Sequence, residues 1–450
     1  MREPKLVVIG GDAAGMSAAS KIRRTHPVRE IVVFEQGEHT SYAACGMPYY
    51  IAGEIEGHEK LIARKPEVFR EKQHIDVRIQ HRVEAVDLNA KKISVTNLKT
   101  GERFDEKWDQ LLIATGAAPV RPPIPGLKDA KGIFSLSILQ TGIDVFNDIE
   151  THHPKTAVVV GGGYIGIEMA EALLARGLKV TLIDMAPQVM TTMDSDMAEM
   201  IFSYMKDEGI NVMLEEKLSE IECGDNGRVK AVVTEKHRLE ADIVILGLGV
   251  KPRSELAHKA GIELGDSGAI AVNSKLETSV DDVWAAGDCA ESFHRVSGQQ
   301  VHIALGTIAN KHGAIAGTNI SGGDAKFPGV LGTAITKFNR LEIARTGLSE
   351  KEAKKLKISY DTATTSSRTR SGYYPGSDEI TVKLLVRKES GELLGGQIVG
   401  FEGSGKRIDT IAAAITGGLT ATDLTFADLS YAPPFSPVWD PVQICARKLV

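Results

Sequence analysis

Four cysteines stand far apart in the 450-residue chain, and their spacing limits the sulfur chemistry that the protein can perform. Cys45, Cys223, Cys289 and Cys445 include no Cys-x-x-Cys pair, which argues against a disulfide framework and a zinc site, so no metal is predicted. The last three are predicted to be inert core residues. Cys45, in SYAACGMPYYIAG, stands at the predicted start of a helix, a position that favours the thiolate. Two interpretations remain for Cys45: a redox centre or a buried structural thiol.

A glycine-rich turn in TAVVVGGGYIGIEMAEALLARG follows an apolar strand and opens a helix. Gly161, Gly163 and Gly166 fit G-x-G-x-x-G, in which the glycines allow a tight turn, close approach of a pyrophosphate and close packing of helix on strand. Asp184 ends the next strand, 18 residues beyond Gly166 (184 − 166), where it can bond a ribose hydroxyl. Met185 follows and no arginine is adjacent, so NADH is favoured over NADPH. A glycine-rich turn without a ligand is the alternative.

A less regular glycine turn lies in KLVVIGGDAAGMSAASKIRR, near the N-terminus. Gly10 and Gly15 hold the outer positions of the motif, whereas Asp12 stands where the middle glycine is expected. Glu35, 20 residues beyond Gly15 (35 − 15), is placed for a ribose, although a degenerate unit that binds nothing is the alternative. The apolar strand in SVDDVWAAGDCAES ends near Asp288, which can reach a second part of an extended dinucleotide. Two dinucleotides in one chain suggest a hydride donor and a flavin acceptor.

The order of these segments predicts an α/β protein with two Rossmann-like dinucleotide-binding domains and a C-terminal α+β domain. The first domain is predicted to be discontinuous, with residues 1–115 and 250–325, and the second domain to be inserted as residues 116–249. Residues 326–450 form the third domain, because strand-like segments such as EITVKLLVRKES and one helix, KRIDTIAAAITGG, follow one another there.

The charge balance excludes some classes of partner. The chain has 53 Lys and Arg against 59 Asp and Glu, a net charge of -6, which argues against a nucleic-acid or membrane-surface role. Apolar runs stay well short of the roughly 20 residues that span a bilayer. The N-terminus, MREPKLVVIGG, reaches an apolar strand at once and lacks the pattern of a cleavable signal. We therefore expect a cytoplasmic protein with small-molecule partners.

Several independent motifs together resemble one family. The two glycine turns, ATG at 114–116, AAGDCA at 285–290 and YAPPFS at 431–436 resemble the flavoprotein pyridine nucleotide-disulfide oxidoreductases over essentially the whole chain. The resemblance implies FAD and NADH (or NADPH) as cofactors, with Tyr164 covering the flavin face until nicotinamide displaces it. It also implies a homodimer in which the C-terminal domain completes the partner's active site. The cofactor-binding residues predicted are Gly10, Ala13, Ala14, Gly15, Glu35, Ser41, Ala114, Thr115, Gly116, Gly161, Gly163, Tyr164, Ile165, Gly166, Asp184, Gly249, Gly287, Asp288, Ala304 and Thr307.

The surroundings of Cys45 point to one branch of that family. Glutathione-reductase-like members have a second cysteine five positions on, where this chain has Tyr50, so a general thiol-disulfide reductase is disfavoured. The single-cysteine branch is more similar and includes coenzyme A-disulfide reductases, persulfide reductases, NADH oxidases and NADH peroxidases. Ala13 stands where oxygen- and peroxide-reducing members typically have a histidine, which argues against an oxidase.

Two tyrosines near the C-terminus are candidates for proton donation. The chain has no histidine after His312, whereas glutathione-reductase-like members end with a His-Glu pair. Tyr431, in SYAPPFSPVWDP, and Tyr373, in SGYYPGS, resemble the two tyrosines of coenzyme A-disulfide reductases, and Tyr374 is the rival of Tyr373. A phenol can donate a hydrogen bond to a leaving thiolate without adding charge. Simple packing at an interface is the alternative.

The resemblance implies an FAD-dependent, NAD(P)H-linked reductase of coenzyme A disulfide, or of coenzyme A persulfide or polysulfide, through a mixed disulfide at Cys45. One cysteine suffices when the substrate brings the second sulfur. Arg23 and Arg64 are candidates to bind the anionic end of coenzyme A, with solvated surface charge as the alternative. A water-forming NADH oxidase that cycles Cys45 through sulfenic acid, and a slow flavin-bound redox sensor, remain as alternative functions.

Overall fold

The computed structural model describes residues 3–450, which form two compact units built from several chain segments. The first unit contains the described residues up to Val120 together with Leu136–Thr151 and Gly249–Val330. The second unit contains Arg121–Ser135, His152–Leu248 and Leu331–Val450. None of the helices in these residues is long and apolar enough to cross a membrane.

A five-stranded parallel sheet forms the centre of the first unit. Its central strand reads LVVI and the next strand reads IVVF. Both are wholly buried, because helices and loops cover both faces of a parallel sheet. Helices Ala13–Thr25 and Gly306–Ile320 pack closely, since a Cβ at Gly313 would overlap the carbonyl oxygen of Ala14. In sheet order the strands are Val283–Ala285, Gln110–Ile113, Leu6–Ile9, Ile31–Phe34 and Asp76–Arg78.

Smaller elements complete the first unit. One antiparallel sheet has three strands, His81–Asp87, Lys92–Asn97 and Arg103–Lys107. Two further antiparallel sheets have two strands each. Ala117–Pro119 pairs with Val250–Pro252, and Ser292–His294 pairs with Gln299–Val301. The remaining helices are Met47–Ala52, Pro66–Gln73, Leu139–His152 and Glu255–Lys259, with 3-10 turns at Ala44–Gly46 and His58–Leu61.

The second unit repeats the parallel arrangement in its nucleotide-binding part. Helix Tyr164–Ala175 follows strand Thr156–Val160, and helix Ser195–Asp207 follows strand Lys179–Asp184. The parallel strands, in sheet order, are Asn211–Leu214, Lys179–Asp184, Thr156–Val160, Ile243–Leu246 and Ile133–Phe134. An antiparallel sheet contains Leu218–Cys223, Val229–Thr234 and Arg238–Glu240.

The C-terminal part of the second unit is an antiparallel sheet covered by short helices. In sheet order the strands are Ala334–Phe338, Leu341–Gly347, Leu393–Gly400, Glu379–Arg387 and Tyr360–Arg368. The helices are Glu350–Lys355, Ile408–Gly417, Ala421–Thr425 and Pro441–Ala446, with 3-10 turns at Gly405–Arg407 and Arg447–Leu449. Two parallel sheets and an α+β part confirm the predicted fold class, whereas the boundaries at 115, 249 and 325 stay predictions.

A buried lysine ties the nucleotide-binding and C-terminal parts of the second unit together. Lys383 is only 4% exposed, and its Nζ lies 2.8 Å from Asp196 Oδ1, 2.6 Å from Glu350 Oε1 and 3.3 Å from Asp194 Oδ2. Burial alone would lower the pKa of Lys383, but the hydrogen bonds to Asp196 and Glu350 outweigh it and raise the pKa above its ordinary value. The lysine therefore stays charged and compensates three carboxylates.

Replacing this lysine tests how strongly the cluster holds the unit. Lys383→Met leaves the three carboxylates without their common cation, and we expect the free energy of unfolding to fall by about 3 kcal/mol in urea denaturation. Lys388→Met is the matched control, because Lys388 faces Asp361 at 4.0 Å with both side chains exposed. The control should change the free energy by less than about 1 kcal/mol. Equal losses in the two variants would contradict a stabilising role for the buried cluster.

Candidate active site

The first glycine turn joins strand Leu6–Ile9 to helix Ala13–Thr25. Gly10 adopts a φ of +109°, and a Cβ there would overlap the carbonyl oxygen of Ala114. A Cβ at Gly15 would overlap the carbonyl oxygen of Gly10, so the helix begins in contact with the turn. Neither position accepts a larger residue, and the helix N-terminus is thereby placed beside the end of the strand, where it can bind an anion.

The acids of this turn differ in how the protein binds them. The two carboxylate oxygens of Glu35 accept the N–H groups of Gly11 (2.8 Å) and Gly37 (2.7 Å), which fixes the side chain at the end of its strand. Asp12 Oδ1 accepts the N–H of Tyr42 at 3.1 Å. Burial, together with the negative charges of Glu35 and Asp288, raises the pKa of Asp12 to about 7, although the bond from Tyr42 opposes the shift.

Asp288 carries a buried carboxylate oxygen that lacks a partner. Its Oδ1 makes no hydrogen bond to any side chain or backbone group of residues 3–450, and burial raises the pKa of the carboxyl. Gly287, just before it, has a φ of +80°, and a Cβ there would lie 2.9 Å from the Cβ of Ala14. An unsatisfied buried oxygen beside a closely packed glycine fits a ligand hydroxyl that donates to it.

Two histidines that the spacing of the sequence did not single out hold the Gly287–Asp288 segment. His302 Nε2 donates to the carbonyl oxygen of Asp288 at 2.8 Å. The N–H of Gly287 donates to Nδ1 of the fully buried His312 at 3.3 Å, and burial lowers the pKa of His312 to about 4. The neutral ring then donates from Nε2 to Ser292 at 3.2 Å. Neither histidine lies in a recognisable motif, so only the folded chain shows the contacts.

The other predicted residues of the first unit lie on four segments. Thr115 donates its hydroxyl to the carbonyl of Arg253 at 2.6 Å, which fastens the segment that holds Ala114 and Gly116. Gly249 accepts the N–H of Val120 at 2.9 Å. Around the long helix Gly306–Ile320, Ala304 lies just before the helix and Thr307 lies exposed in its first turn; in helix Ala13–Thr25, Ala13 and Ala14 form the first turn.

Cys45 is exposed, which rules out the interpretation as a buried structural thiol. It lies in the 3-10 turn Ala44–Gly46, directly before helix Met47–Ala52. The segment leading to it is held by Ser41, whose φ is +51° and whose carbonyl accepts the N–H of Ala63 at 2.9 Å. Tyr50, in place of a second cysteine, is 4% exposed and stacks on Phe146 with 4.7 Å between ring centroids.

The other three cysteines differ in exposure. Cys289 and Cys445 are buried as predicted, but Cys223 is exposed, so its assignment to the core was wrong.

The two arginines predicted to bind coenzyme A differ in their surroundings. The guanidinium of Arg23 donates to the carbonyl oxygens of residues 26, 27, 29 and 74, so backbone acceptors engage it. Arg64 is exposed and lies over the ring of Phe69, 5.3 Å from its centroid. The N–H of Arg64 also bonds the carbonyl of Ser41 at 3.3 Å, which joins this cation to the segment leading to Cys45.

The second glycine turn joins strand Thr156–Val160 to helix Tyr164–Ala175. A Cβ at Gly166 would overlap the carbonyl oxygen of Gly161, whereas a Cβ at Gly163 would meet no atom within 4 Å. Open space at the middle glycine is what a dinucleotide pyrophosphate needs. Asp184 accepts the N–H groups of Gly162 (2.6 Å) and Ala186 (2.8 Å), and the neighbouring Met185 is 70% exposed. These residues fit a dinucleotide at the end of the strand.

Tyr164 and Ile165 open the helix that follows this turn. The hydroxyl of Tyr164 is buried, and burial raises the pKa of the phenol. On the same helix, Glu168 is hydrogen-bonded to the hydroxyl of Thr336 at 2.7 Å, and burial raises its pKa. Glu171 pairs with Lys337 at 2.5 Å. Two bonds thus fix the helix that carries Tyr164 to strand Ala334–Phe338 of the same unit.

The structure brings the segments of Tyr373 and Tyr431 together on the C-terminal part of the second unit. The guanidinium of Arg407 donates to the carbonyls of Thr369 (2.8 Å) and Phe435 (2.7 Å), which lie beside the two tyrosines in sequence. Tyr373 is 77% exposed and Tyr431 is 46% exposed. Further apolar side chains are exposed on the same part of the chain, namely Tyr374, Phe426, Phe435, Val438 and Trp439.

Comparison with known families identifies the class of protein. Residues 4–313 match the model of the pyridine nucleotide-disulphide oxidoreductases, and residues 333–441 match the dimerisation domain of the same family. The chain therefore belongs to the pyridine nucleotide-disulphide oxidoreductase family, whose members use FAD and NAD(P)H. The buried oxygen of Asp288, the two closed glycine contacts and the open space at Gly163 fit these dinucleotides.

Individual relatives cover nearly the whole chain. An NAD(P)H sulfur oxidoreductase (CoA-dependent) from Pyrococcus furiosus is 42% identical over 450 residues, which is 100% of both chains. An NADH oxidase from Methanocaldococcus jannaschii is 38% identical and spans 98% of each chain. Among solved structures, reduced CoADR-RHD from Bacillus anthracis has a TM-score of 0.96 and 37% identity, covering 100% of this chain and 80% of that one. An NAD-dependent persulfide reductase from A. fulgidus has a TM-score of 0.95 and 37% identity, covering 99% and 82%.

The open space at Gly163 leads to a test of the second turn. Gly163→Ala should fold normally, because Gly163 has a φ of -83° and its Cβ would meet no neighbour, yet the methyl group would occupy the approach of the pyrophosphate. We expect NADH to bind about tenfold more weakly in equilibrium titrations, with a thermal midpoint within about 2 °C of the wild type. Unchanged NADH affinity would place the nucleotide elsewhere. Gly166→Ala provides the contrast, since it should destabilise the fold itself.

Proposed function

We propose that this protein is an FAD-dependent, NAD(P)H-linked reductase of coenzyme A disulfide, or of coenzyme A persulfide or polysulfide, acting through a mixed disulfide at Cys45. The observation that carries this proposal is that Cys45 is exposed while the position of a second thiol is taken by the buried Tyr50. The substrate must then supply the second sulfur. Because NAD(P)H and coenzyme A are metabolites of the cell interior, the proposed reaction favours a cytoplasmic location.

The cofactor sites are proposed from the two glycine turns. Residues 1–115 and 250–325 would hold FAD, with Glu35 at the ribose and Asp288 accepting from a hydroxyl, and residues 116–249 would hold NAD(P)H, with Asp184 at the ribose. FAD, when bound, accepts a hydride from NAD(P)H and delivers two electrons to a disulfide. Asp184 without an adjacent arginine favours NADH.

Cys45 performs the sulfur chemistry. Its thiolate attacks one sulfur of coenzyme A disulfide, so that a bond forms between Cys45 Sγ and that sulfur while the second coenzyme A leaves as a thiolate. Two electrons and a proton then cleave the mixed disulfide into coenzyme A thiol and the Cys45 thiolate. With a persulfide of coenzyme A the same attack releases either sulfide or coenzyme A, depending on which sulfur is attacked.

The two tyrosines are proposed to act on the leaving thiolate. Tyr431 and Tyr373 are exposed on neighbouring segments joined by Arg407, and a phenol there can donate to a thiolate. Supported by the match of residues 333–441 to a dimerisation domain, we place these tyrosines in the active site of the partner in a homodimer. Arg64 is proposed to bind the phosphates of coenzyme A, and Arg23 is left out because both of its terminal guanidinium nitrogens donate to backbone carbonyls.

A water-forming NADH oxidase is the second candidate, because a relative with 38% identity carries the name NADH oxidase. In that reaction two electrons from NADH would first reduce oxygen to hydrogen peroxide, which would oxidise the Cys45 thiolate to a sulfenic acid and release one water. Two further electrons would return the sulfenic acid to the thiolate with release of the second water. Ala13, in place of a histidine, counts against this candidate.

Anaerobic assays with matched cysteine variants test the proposal. We expect rapid NADH oxidation with coenzyme A disulfide or persulfide, a loss of at least about 1,000-fold in Cys45→Ser, and wild-type rates in Cys223→Ser. Cys223 is the matched control because it is also an exposed thiol. Both variants should keep the visible spectrum of bound FAD. Fast NADH loss in air without any anaerobic turnover would overturn the reductase and establish the oxidase.

Mixed dimers test the proposed role of the tyrosines in the partner's site. Tyr431→Phe should lower kcat by about 100-fold, whereas Tyr374→Phe should stay near wild type. If the tyrosine serves the partner, a dimer of Cys45→Ser and Tyr431→Phe chains contains one intact site, and random reassociation should restore roughly a quarter of the wild-type activity. No recovery on mixing, with chain exchange verified by mass spectrometry, would show that each chain uses its own tyrosine.

A further inference from the structure

Asp12 stands where the motif of the first glycine turn calls for a glycine beside the pyrophosphate. It is the N-cap of helix Ala13–Thr25, yet its side chain makes no capping hydrogen bond to the helix. The carboxyl instead accepts the N–H of Tyr42 at 3.1 Å, three residues before Cys45. An acid is thus kept within the turn at the place where a dinucleotide phosphate is expected.

The groups that face Asp12 offer it little compensating charge. Glu35 and Asp288, from the ends of two strands of the same sheet, are acidic and act on it through their charges. Tyr42, the residue that bonds it, is itself a weak acid whose pKa burial raises. The bases close by influence other groups: His302 lowers the pKa of Asp288, and Arg253 lowers the pKa of Tyr42. The helix opens with apolar residues, so it contributes only its amide dipole and the backbone N–H of Ala13, which lowers the pKa of Asp12.

A bound dinucleotide worsens this imbalance. The diphosphate of FAD carries two negative charges, and like charges close to a buried carboxylate favour its neutral form. A protonated carboxyl can still accept the N–H of Tyr42 through one oxygen, and its O–H can donate to a phosphate oxygen. Protonation therefore removes the repulsion and adds a donor without moving the chain.

We propose that the protein takes up one proton at Asp12 when FAD binds, so that FAD is held less tightly as the pH rises. The proton comes from solvent, joins the Asp12 carboxylate, and returns to solvent when FAD leaves. This inference rests on the proposed placement of FAD at the first glycine turn.

The pH dependence of FAD affinity follows from the thermodynamic linkage between FAD binding and protonation of Asp12. Without FAD the Asp12 carboxyl titrates near pH 7, and bound FAD moves its titration to higher pH. Well below pH 7 the carboxyl is already protonated, so binding takes up no proton and affinity is independent of pH. Above pH 7 the uptake rises towards one proton, and FAD affinity falls up to about tenfold per pH unit until the titration of the bound form is reached.

Calorimetry of FAD binding to the full-length apoprotein, in two buffers of different ionisation enthalpy, counts the protons directly. We expect an uptake of up to one proton at pH 8 and close to none at pH 5.5. Asp12→Asn, which keeps the acceptor for Tyr42 and resembles the neutral acid, should abolish the uptake and flatten the affinity profile. Glu38→Gln is the matched control, because Glu38 is an exposed acid of the neighbouring loop, and its proton count should equal that of the wild type.

Release of FAD from the holoprotein, followed by flavin fluorescence, gives a second measurement. Wild type should lose FAD progressively between pH 7 and 9, while Asp12→Asn should retain it. Stoichiometric FAD binding by wild type without proton uptake at pH 8, or equal uptake by Asp12→Asn, would overturn the inference and leave the proposed function intact. Purified protein that binds no FAD at any pH would overturn both.

Discussion

Close backbone contact between strand, glycine turn and helix is the constraint on which both nucleotide sites depend. At Gly15 and at Gly166 the helix lies against the carbonyl oxygen of the first glycine of its turn, leaving no space for a side chain. This contact places the N–H groups and the positive dipole of the helix beside the carboxyl end of the sheet. The segment that carries Cys45 is joined to the first turn by the hydrogen bond from the N–H of Tyr42 to Asp12.

The acids at these ends fall into two classes. Glu35 and Asp184 each have both oxygens bound by backbone N–H groups, so the protein holds their side chains in a fixed orientation. Asp288 has a buried oxygen without a partner, and Asp12 is buried beside two neighbouring acids. In the proposed cofactor sites the first class faces a ribose. The carboxyl groups of the second class lack compensating donors or cations until a ligand binds. We therefore attribute ligand contact to Asp288 and proton uptake to Asp12.

The proposed sulfur chemistry depends on a difference between position 45 and position 50. Cys45 is exposed in a 3-10 turn, while Tyr50 is buried by stacking on Phe146. A thiol that has no second cysteine at that spacing must form its disulfide with a sulfur from outside, and the exposed turn admits one. Arg407 bonds the segments of Tyr373 and Tyr431, the proposed donors, on the C-terminal part of the second unit.

The sequence alone determined the fold class and the lack of a second cysteine at position 50, because glycine spacing, apolar strands and residue identity are properties of the local chain. Only the tertiary structure decided that Arg23 is engaged by backbone carbonyls, that Cys223 is exposed, and that His302 and His312 hold Asp288 and Gly287. Asp12 shows the difference: its place in the motif is visible in the sequence, but its pKa depends on Asp288, which lies 276 positions away (288 − 12). The burial and the neighbouring charges that set this pKa come from residues distant in the chain, and these residues come together only when the sheet forms.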